Sequence, residues 1–336
     1  MPVSKQVVLQ KAAQFYSESL AHSADAMSYL QARSLPLSVV DDMKIGYAPN
    51  EWDGFVSTLN VEEQAAALEI GLIAESNGRR YDSFRNRLIF PIRDEKGNVV
   101  GFGGRTLTDD TPKYLNSSES DVFKKSQILY GLDLAVKSGR KHLLVLEGYT
   151  DVCGLRAHDI NTPVATLGTA FTEQHAHLLA KSNVKHVTFC FDGDKAGRDA
   201  AVRAMDAWAM LHEAGVEVGC VFLPDGLDPD EFVNSRGREK FSEYFQSNRL
   251  DAASSIAKLG VDRYLSYGKS PGLDAQLNCV AYINDLCMTA DVSVERVRSA
   301  FEANPAFDCV QHSLLSQIDE FRQPPLENNN SKGFSP

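Results

Sequence analysis

No run of apolar residues in this chain approaches the roughly 18 that a membrane-spanning helix needs, and no charged segment followed by an apolar stretch opens it. Those absences predict a cytosolic protein with no membrane partner. Paired cysteines are missing too. Cys153, Cys190, Cys220, Cys279, Cys287 and Cys309 form no CxxC, and several sit in apolar stretches such as VTFCF and GCVFL. Buried free thiols are expected rather than a disulfide framework. His175 and His177 stand two apart with no cysteine near, poor spacing for zinc, so we expect them on a surface helix. An excess of positive charge is also lacking: 34 basic against 45 acidic side chains give −11, which argues against wholesale coating of nucleic acid. With 43% hydrophobic and 24% charged residues, the composition excludes a long disordered, collagenous or coiled-coil chain. The 336 residues leave room for two or three domains and a sizeable core.

The charge that is present is unevenly spread. Residues 79–141 hold 13 Lys/Arg and 8 Asp/Glu, net +5, which leaves −16 for everything else. One basic district therefore faces an acidic remainder. Helical spacing runs from Val7 to Arg33, with a break near His22–Asp25 where Ser23 can cap a second helix. Short helices follow over Ser38–Met43 and Glu62–Leu72, with a turn at Asn77-Gly78. Leu88–Leu107 reads as a hairpin turning at Glu95–Asn98, and its Gly103-Gly104 pair as a possible bulge. TPKYLNSSESDVFKKSQILYG has no period and reads as an extended, ligand-facing loop.

From 142 to 224, near-continuous apolar strands (HLLVLEG, PVATLG, HVTFCFDGD, VEVGCVFLP) alternate with amphipathic helices, the pattern of a parallel sheet covered on both faces. The expected class is α+β: a mixed N-terminal subdomain over 1–141, a central parallel α/β sheet over 142–235, a helical subdomain over 236–323, and a polar tail, 324–336, read as disordered.

Three acidic motifs stand where strands end: Glu147 and Asp151 in LEGYTD, Asp192 and Asp194 in FDGD, Asp228 and Asp230 in LPDGLDPD. The carboxyl ends of parallel strands lie along one edge, so these six acids should share a rim. Carboxylates at that density repel, which predicts raised pKa values or a divalent cation, and oxygen donors favour magnesium or manganese. Any one of the aspartates could instead be a helix N-cap or turn residue. Glu147, at the end of a buried strand, is the acid expected to move a proton. A metal facing a basic segment suits phosphoryl or nucleotidyl transfer. The basic partners are Arg85, Arg87, Arg105, Lys113, Lys124 and Lys125, interleaved with Tyr81, Phe84, Phe102, Tyr114 and Phe123, the mixture expected of a single-strand groove. Any single one could merely solvate a hairpin face.

The motifs RLIFPIRDEKGNVVGFGGR, TPKYLNSSESDVFKK, LYGLDLA, LLVLEGYTDV, ATLGTAFT, FDGDKAGRDAA and FLPDGLDPDEF, in this order over about residues 80–235, resemble the catalytic core of bacterial (DnaG-type) DNA primases. A weaker similarity runs from Phe15 to Pro49. The resemblance implies a Toprim fold over 142–224, with Glu147, Asp192 and Asp194 catalytic with metal and Asp151, Asp228 and Asp230 completing its coordination. It assigns Lys113, Tyr114, Asn116, Lys125 and Arg105 to nucleotide or template, and Arg33 to an extension of the template ridge. Arg85 and Arg87 join them as basic groove residues.

The activity implied is magnesium-dependent, DNA-templated synthesis of short RNA primers, with manganese able to substitute. Its partners would be single-stranded DNA, ribonucleoside triphosphates and, as a candidate, the replicative helicase, at the replication fork in the cytoplasm. The chain shows no Cys/His zinc ribbon, so no zinc is expected in it. An excised core and a naturally reduced primase both fit. A Toprim nuclease and a non-catalytic DNA- or helicase-binding module are the alternatives.

Overall fold

The computed structural model describes residues 3–224, 226–268 and 271–307. It divides into one compact unit that ends at Arg249 and another that begins at Leu250. Among the described residues no helix is long and apolar enough to cross a membrane.

The first unit opens with three helices, α1 (Lys5–Leu20), α2 (Ala24–Ala32) and α3 (Leu37–Met43). Ser23 caps α2 by accepting the Ala26 N–H at 3.2 Å, so the chain breaks where the sequence suggested. A strand, β1 (Gly46–Ala48), helix α4 (Val61–Glu69) and a small hairpin, β2 (Ile73–Ser76) and β3 (Arg79–Asp82), follow. The long hairpin is β4 (Arg87–Arg93) and β5 (Val99–Thr106). With β1 on one side and β6 (Tyr114–Asn116) on the other it forms an antiparallel sheet ordered β1-β4-β5-β6.

The extended loop expected at 111–131 is thus only part loop, because its Tyr114–Asn116 adds an edge strand to β5. Nor do Gly103 and Gly104 mark a bulge. They pair regularly with Phe90 and Ile89, and the irregularity lies at Ile92/Arg93. Gly103 is needed for space: a Cβ there would stand 2.6 Å from the Tyr149 ring. Tyr16 of α1 meets Phe102 and Phe84 edge-on over this sheet, in a core with Phe55 and Ile89. Buried Asp82 fixes the adjoining turn by accepting the Phe55 and Val56 N–H groups at 2.7 and 2.9 Å.

Helix α5 (Leu132–Lys137) leads into the alternating region: β7 (His142–Leu146), α6 (Tyr149–Ala157), β8 (Pro163–Ala165), α7 (Glu173–Lys181), β9 (His186–Phe191), α8 (Lys195–Glu213), β10 (Glu217–Phe222) and α9 (Pro229–Asn248). The four strands are parallel, in the order β10-β9-β7-β8. Alternate residues Leu144, Leu146, Cys190 and Val221 join a core with Val152 of α6 and Phe232 of α9. On the other face Phe189 packs against Trp208 of α8 and Phe171. Burying a side chain such as Phe189 is worth about 1.5–3 kcal/mol, so this doubly covered sheet is where stability is concentrated. Helix α9 bends at Gly237, whose φ is 84°.

The second unit packs α10 (Ala252–Ser266), α11 (Leu273–Thr289) and α12 (Val294–Ala303) through Ile256, Ile283, Val297 and Phe301. The five cysteines among the described residues are buried thiols outside any disulfide, as expected; Cys309 and the tail read as disordered, 324–336, lie outside the described residues.

Candidate active site

Strand order locates the site. From β7 the chain crosses through α6 to β8 on one side, then through α7 to β9 on the other, so the topological switch lies between β7 and β9. Ligands of open α/β sheets bind in the crevice outside the carboxyl ends of such strands. Glu147 follows β7 and Asp192 follows β9.

A cavity of about 310 Å³ opens there. One wall carries Glu147, Asp151, Asp192 and Asp228; the other carries Arg33, Arg105 and Lys113, with Tyr114 and Asn116 between. Nine of the fourteen residues singled out from sequence thus line one hollow of ligand size. A second cavity, about 330 Å³, lies on the far side of Glu147 against Phe171, Phe189, Phe191 and Arg203.

The acids are held by their own helix starts. Asp151 accepts the Gly148 N–H at 3.1 Å. Asp194 caps α8 through the Gly197 N–H at 2.8 Å, and Asp228 caps α9 through Glu231 N–H at 2.7 Å, with Pro229 as the first helical residue. The N-cap alternative is therefore realised in Asp194 and Asp228, and it fixes both at the rim. Asp230, 2% exposed, pairs with the Arg33 guanidinium at 3.0 Å and accepts from Asn234 at 2.7 Å.

Their electrostatics are strained. Asp192 is pushed up to about 7, first by burial and then by Glu147, Asp228, Asp194 and Glu231. Asp151 is raised well above the usual carboxylate range by burial, with Asp228, Asp192 and Asp230 adding to it. Burial raises Asp230 against the pull of Arg33. Glu147 is exposed as a residue, yet the protein around its carboxyl raises it, Asp194 adds to this and Arg203 opposes. Uncompensated negative charge with oxygen donors alone suits a hard divalent cation. As placed, no three Asp, Glu, His or Cys side chains among the described residues stand close enough to share one ion.

The basic wall is held by rings. The Arg105 guanidinium lies 5.1 Å from the Tyr29 ring centre and 5.2 Å from that of Tyr114, and it donates to the Tyr114 hydroxyl at 2.6 Å. Asn116 donates to the Leu167 carbonyl at 2.8 Å and accepts the Tyr149 hydroxyl. Lys113 is exposed. Arg87 is buried, its guanidinium lowered by burial and facing the Gly104 and Lys113 carbonyls at 3.4 Å, so it supports the wall from behind.

Arg85 and Lys125 do not line the cavity. Arg85 stacks over Trp52 at 4.6 Å and Tyr81 at 5.5 Å, and those two rings lie 4.9 Å apart. Trp52, 59% exposed, was missed from sequence. Its signal was a tryptophan in a polar stretch, Asn50-Glu51-Trp52-Asp53-Gly54, where no core can form.

His175, expected on a helix surface, is fully buried. Its Nε2–H donates to the Lys125 and Ile128 carbonyls at 2.9 and 3.1 Å, and its Nδ1 accepts the Thr172 N–H at 3.1 Å. Carbonyls only accept and N–H groups only donate, so these partners assign a neutral ring with its proton on Nε2.

A parallel sheet with acids at its switch point, set against the edge of an antiparallel sheet, is a Toprim-like module joined to a primase-type N-terminal domain. Residues 15–136 match the family described as DNA primase catalytic core, N-terminal domain, and residues 144–233 match a family described as Toprim-like. The chain is 42% identical to the DNA primase of Haemophilus influenzae over 245 residues, 71% of this chain and 41% of that protein. It therefore spans about two-fifths of the length of that relative. It overlays a DnaG primase catalytic domain solved with single-stranded DNA at TM-score 0.77 and 34% identity, covering 89% of this chain and 98% of that one. A DNA primase domain from Pseudomonas aeruginosa matches at TM-score 0.71 and 36% identity, covering 89% and 100%. The chain belongs to the DnaG-type DNA primases and corresponds to their catalytic core.

Proposed function

We propose that the protein synthesises short RNA primers on single-stranded DNA by magnesium-dependent nucleotidyl transfer, with 1–141 as the basic, template-facing part and 142–235 as the acid-bearing part. The observation that carries this reading is the single cavity in which four rim acids face Arg33, Arg105 and Lys113. Glu147, Asp192 and Asp194 would hold the divalent ion with Asp151, Asp228 and Asp230 beside them. Bound there, the ion supplies neutralisation of phosphate oxygens as charge shifts from the attacking hydroxyl to the leaving pyrophosphate.

The chain's own residues do the rest. Lys113 and Arg105 place positive charge against the triphosphate or the template phosphate, and Tyr114 and Asn116 set the depth of the pocket between the walls. The raised Glu147 carboxyl is suited to take the proton of the attacking 3′ hydroxyl. Trp52, Tyr81 and Arg85 form a stacking platform on which template bases can rest away from the cavity. Lys125 and Arg33 extend the phosphate-binding surface. The DnaG domain solved with single-stranded DNA supports the template as ligand. The replicative helicase remains a proposed partner on the family resemblance alone.

The test is incorporation of labelled ribonucleotides on unprimed and primed single-stranded DNA, in magnesium and in manganese, for the parent and Glu147→Gln. Short RNA from the parent alone supports the reading. DNA binding without incorporation by the parent under every condition would replace it with a binding module.

A further inference from the structure

We infer that His175 is a positioning residue, locking the backbone of the Lys125 turn so that the lysine is presented to phosphate. The inference rests on the phosphate-binding role proposed above for Lys125.

Lys125–Gln127 forms a single 3-10 turn between a solvent-facing stretch and the buried Ile128-Leu129-Tyr130 segment. A turn of three residues has almost no internal hold, since its own bonds run only from Gln127 N–H to Lys124 and from Ile128 N–H to Lys125 at 3.4 Å. The start of α7 supplies what it lacks. The His175 Nε2–H is shared between the carbonyls at the two ends of the turn, and the Thr172 hydroxyl donates to the Ser126 carbonyl between them at 2.9 Å. Two of the turn's carbonyls, and that of Ile128 just after it, are thus gripped by two side chains about 50 residues away in the chain.

The grip is itself braced. Nδ1 of His175 accepts the Thr172 N–H, the Thr172 hydroxyl accepts the His175 N–H at 3.3 Å, and Phe171 packs against the imidazole at 5.3 Å. Every polar atom of the buried ring is used, and every use points to this turn or to its clamp. A leucine would fill the same space and hold nothing. At the other end of the same β8–α7 connection the Leu167 carbonyl accepts from Asn116, so one segment, 167–175, fastens the stretch 116–128 at two points. Lys125 is half-buried, so the turn geometry bears on where its ammonium emerges.

The experiment compares His175→Phe, which keeps the ring shape without donors, His175→Gln, which restores an amide donor near Nε2, Lys125→Ala, and the double variant His175→Phe/Lys125→Ala. The full chain is titrated with ATP and with a fluorescein-labelled oligothymidylate, and amide hydrogen exchange is followed at residues 125–128. We expect Lys125→Ala and His175→Phe each to weaken the same ligand by up to about tenfold. We expect the double variant to bind no worse than Lys125→Ala, faster exchange at the turn in His175→Phe, and recovery of both readouts in His175→Gln. In the incorporation assay the loss falls on KM rather than kcat. Additive losses in the double variant, or unchanged exchange at 125–128, overturn the positioning role. Should His175→Phe fail to fold, His175→Gln decides: parent-like exchange and binding support the clamp, loss of both overturns it. A Lys125→Ala variant that binds both ligands like the parent overturns the role given to Lys125, and is told apart because the exchange readout does not depend on any ligand.

Discussion

The two walls of the cavity are built by different means. On the acidic side Asp151 and Asp228 of the cavity wall, and Asp194 outside its lining, are each fixed by a backbone N–H within three residues of themselves, at the first turn of their own helices. On the basic wall Arg105 is fixed by Tyr29 and Tyr114, and Arg85, beyond the cavity, by Trp52 and Tyr81; the Arg105–Tyr29 pair spans two elements far apart in the chain. Those three acids are placed by local chain geometry, while burial and mutual repulsion together raise Asp151 and Asp192. The cations are placed by tertiary packing, with Arg85 repelling Arg87. A rim so organised concentrates negative charge, while the ring-held wall presents its guanidinium groups at set positions.

The largest break in that comparison comes from Asp192, the half-buried acid that burial first, and then its carboxylate neighbours, push up to about 7. Asp192→Asn should cut ribonucleotide incorporation by on the order of 100- to 1000-fold, the size of a lost electrostatic contact to a transition state, while oligothymidylate binding persists. The same change relieves the like-charge crowding of the rim, so the chain without divalent ions should become more stable at neutral pH by on the order of 1–2 kcal/mol, once partial solvent access is counted. Urea unfolding of both proteins in EDTA checks this, and an equal or lower stability would show that the rim is not strained.

Next comes the ring-held side. Trp52→Ala should weaken oligothymidylate binding by about tenfold, the worth of one base stack, with Trp52→Phe retaining most of it. Unlike the rim variant, its loss should persist when magnesium is removed. Oligothymidylate binding should weaken steeply with salt, because the contacts proposed for Lys113, Arg105 and Lys125 are to phosphate.

That contrast also explains what the sequence could and could not tell. Glu147, Asp192 and Asp228 were legible because strand ends and helix starts are local patterns, and a parallel sheet turns local patterns into a shared rim. The strand alternation of 142–224 and the Ser23 break were legible for the same reason. Trp52 and Tyr29 were not, because nothing in their surrounding residues records which arginine will lie over them. His175 was misjudged because it was weighed only as a zinc ligand beside His177, and the 3-10 turn it holds contacts it only in the fold. The Asn116 strand was missed because three residues are too few to show alternation.

A finer cut separates cap from charge on the acidic side. Asp194→Ser keeps a side-chain oxygen for the Gly197 N–H, whereas Asp194→Ala removes it. The alanine variant should lose about 1 kcal/mol of stability and the serine variant less than half of that, yet both should lose incorporation alike. Incorporation surviving in the serine variant would mean that Asp194 serves the helix and not the chemistry.

The smallest effect is a pH dependence, and it tests the buried imidazole that grips the Lys125 turn. Burial lowers His175, and the carbonyls of Lys125 and Ile128 only partly oppose it. Its folded-state pKa thus lies below the ordinary 6.5 that it regains on unfolding. Above pH 6.5 both states carry a neutral ring and its contribution to stability is complete. As pH falls below that, the unfolded chain takes up the proton first, so stability declines until the folded-state pKa is passed and then levels off. One proton sets a ceiling of about 1.4 kcal/mol per pH unit on this slope. Other groups titrate in the same range, so the quantity to read is the difference between the parent and His175→Gln in urea unfolding at successive pH values. The parent should lose more stability than the variant between about pH 6.5 and 5. Parallel curves would mean that the ring is protonated as easily in the fold as outside it, which the Thr172 N–H pointing at Nδ1 forbids.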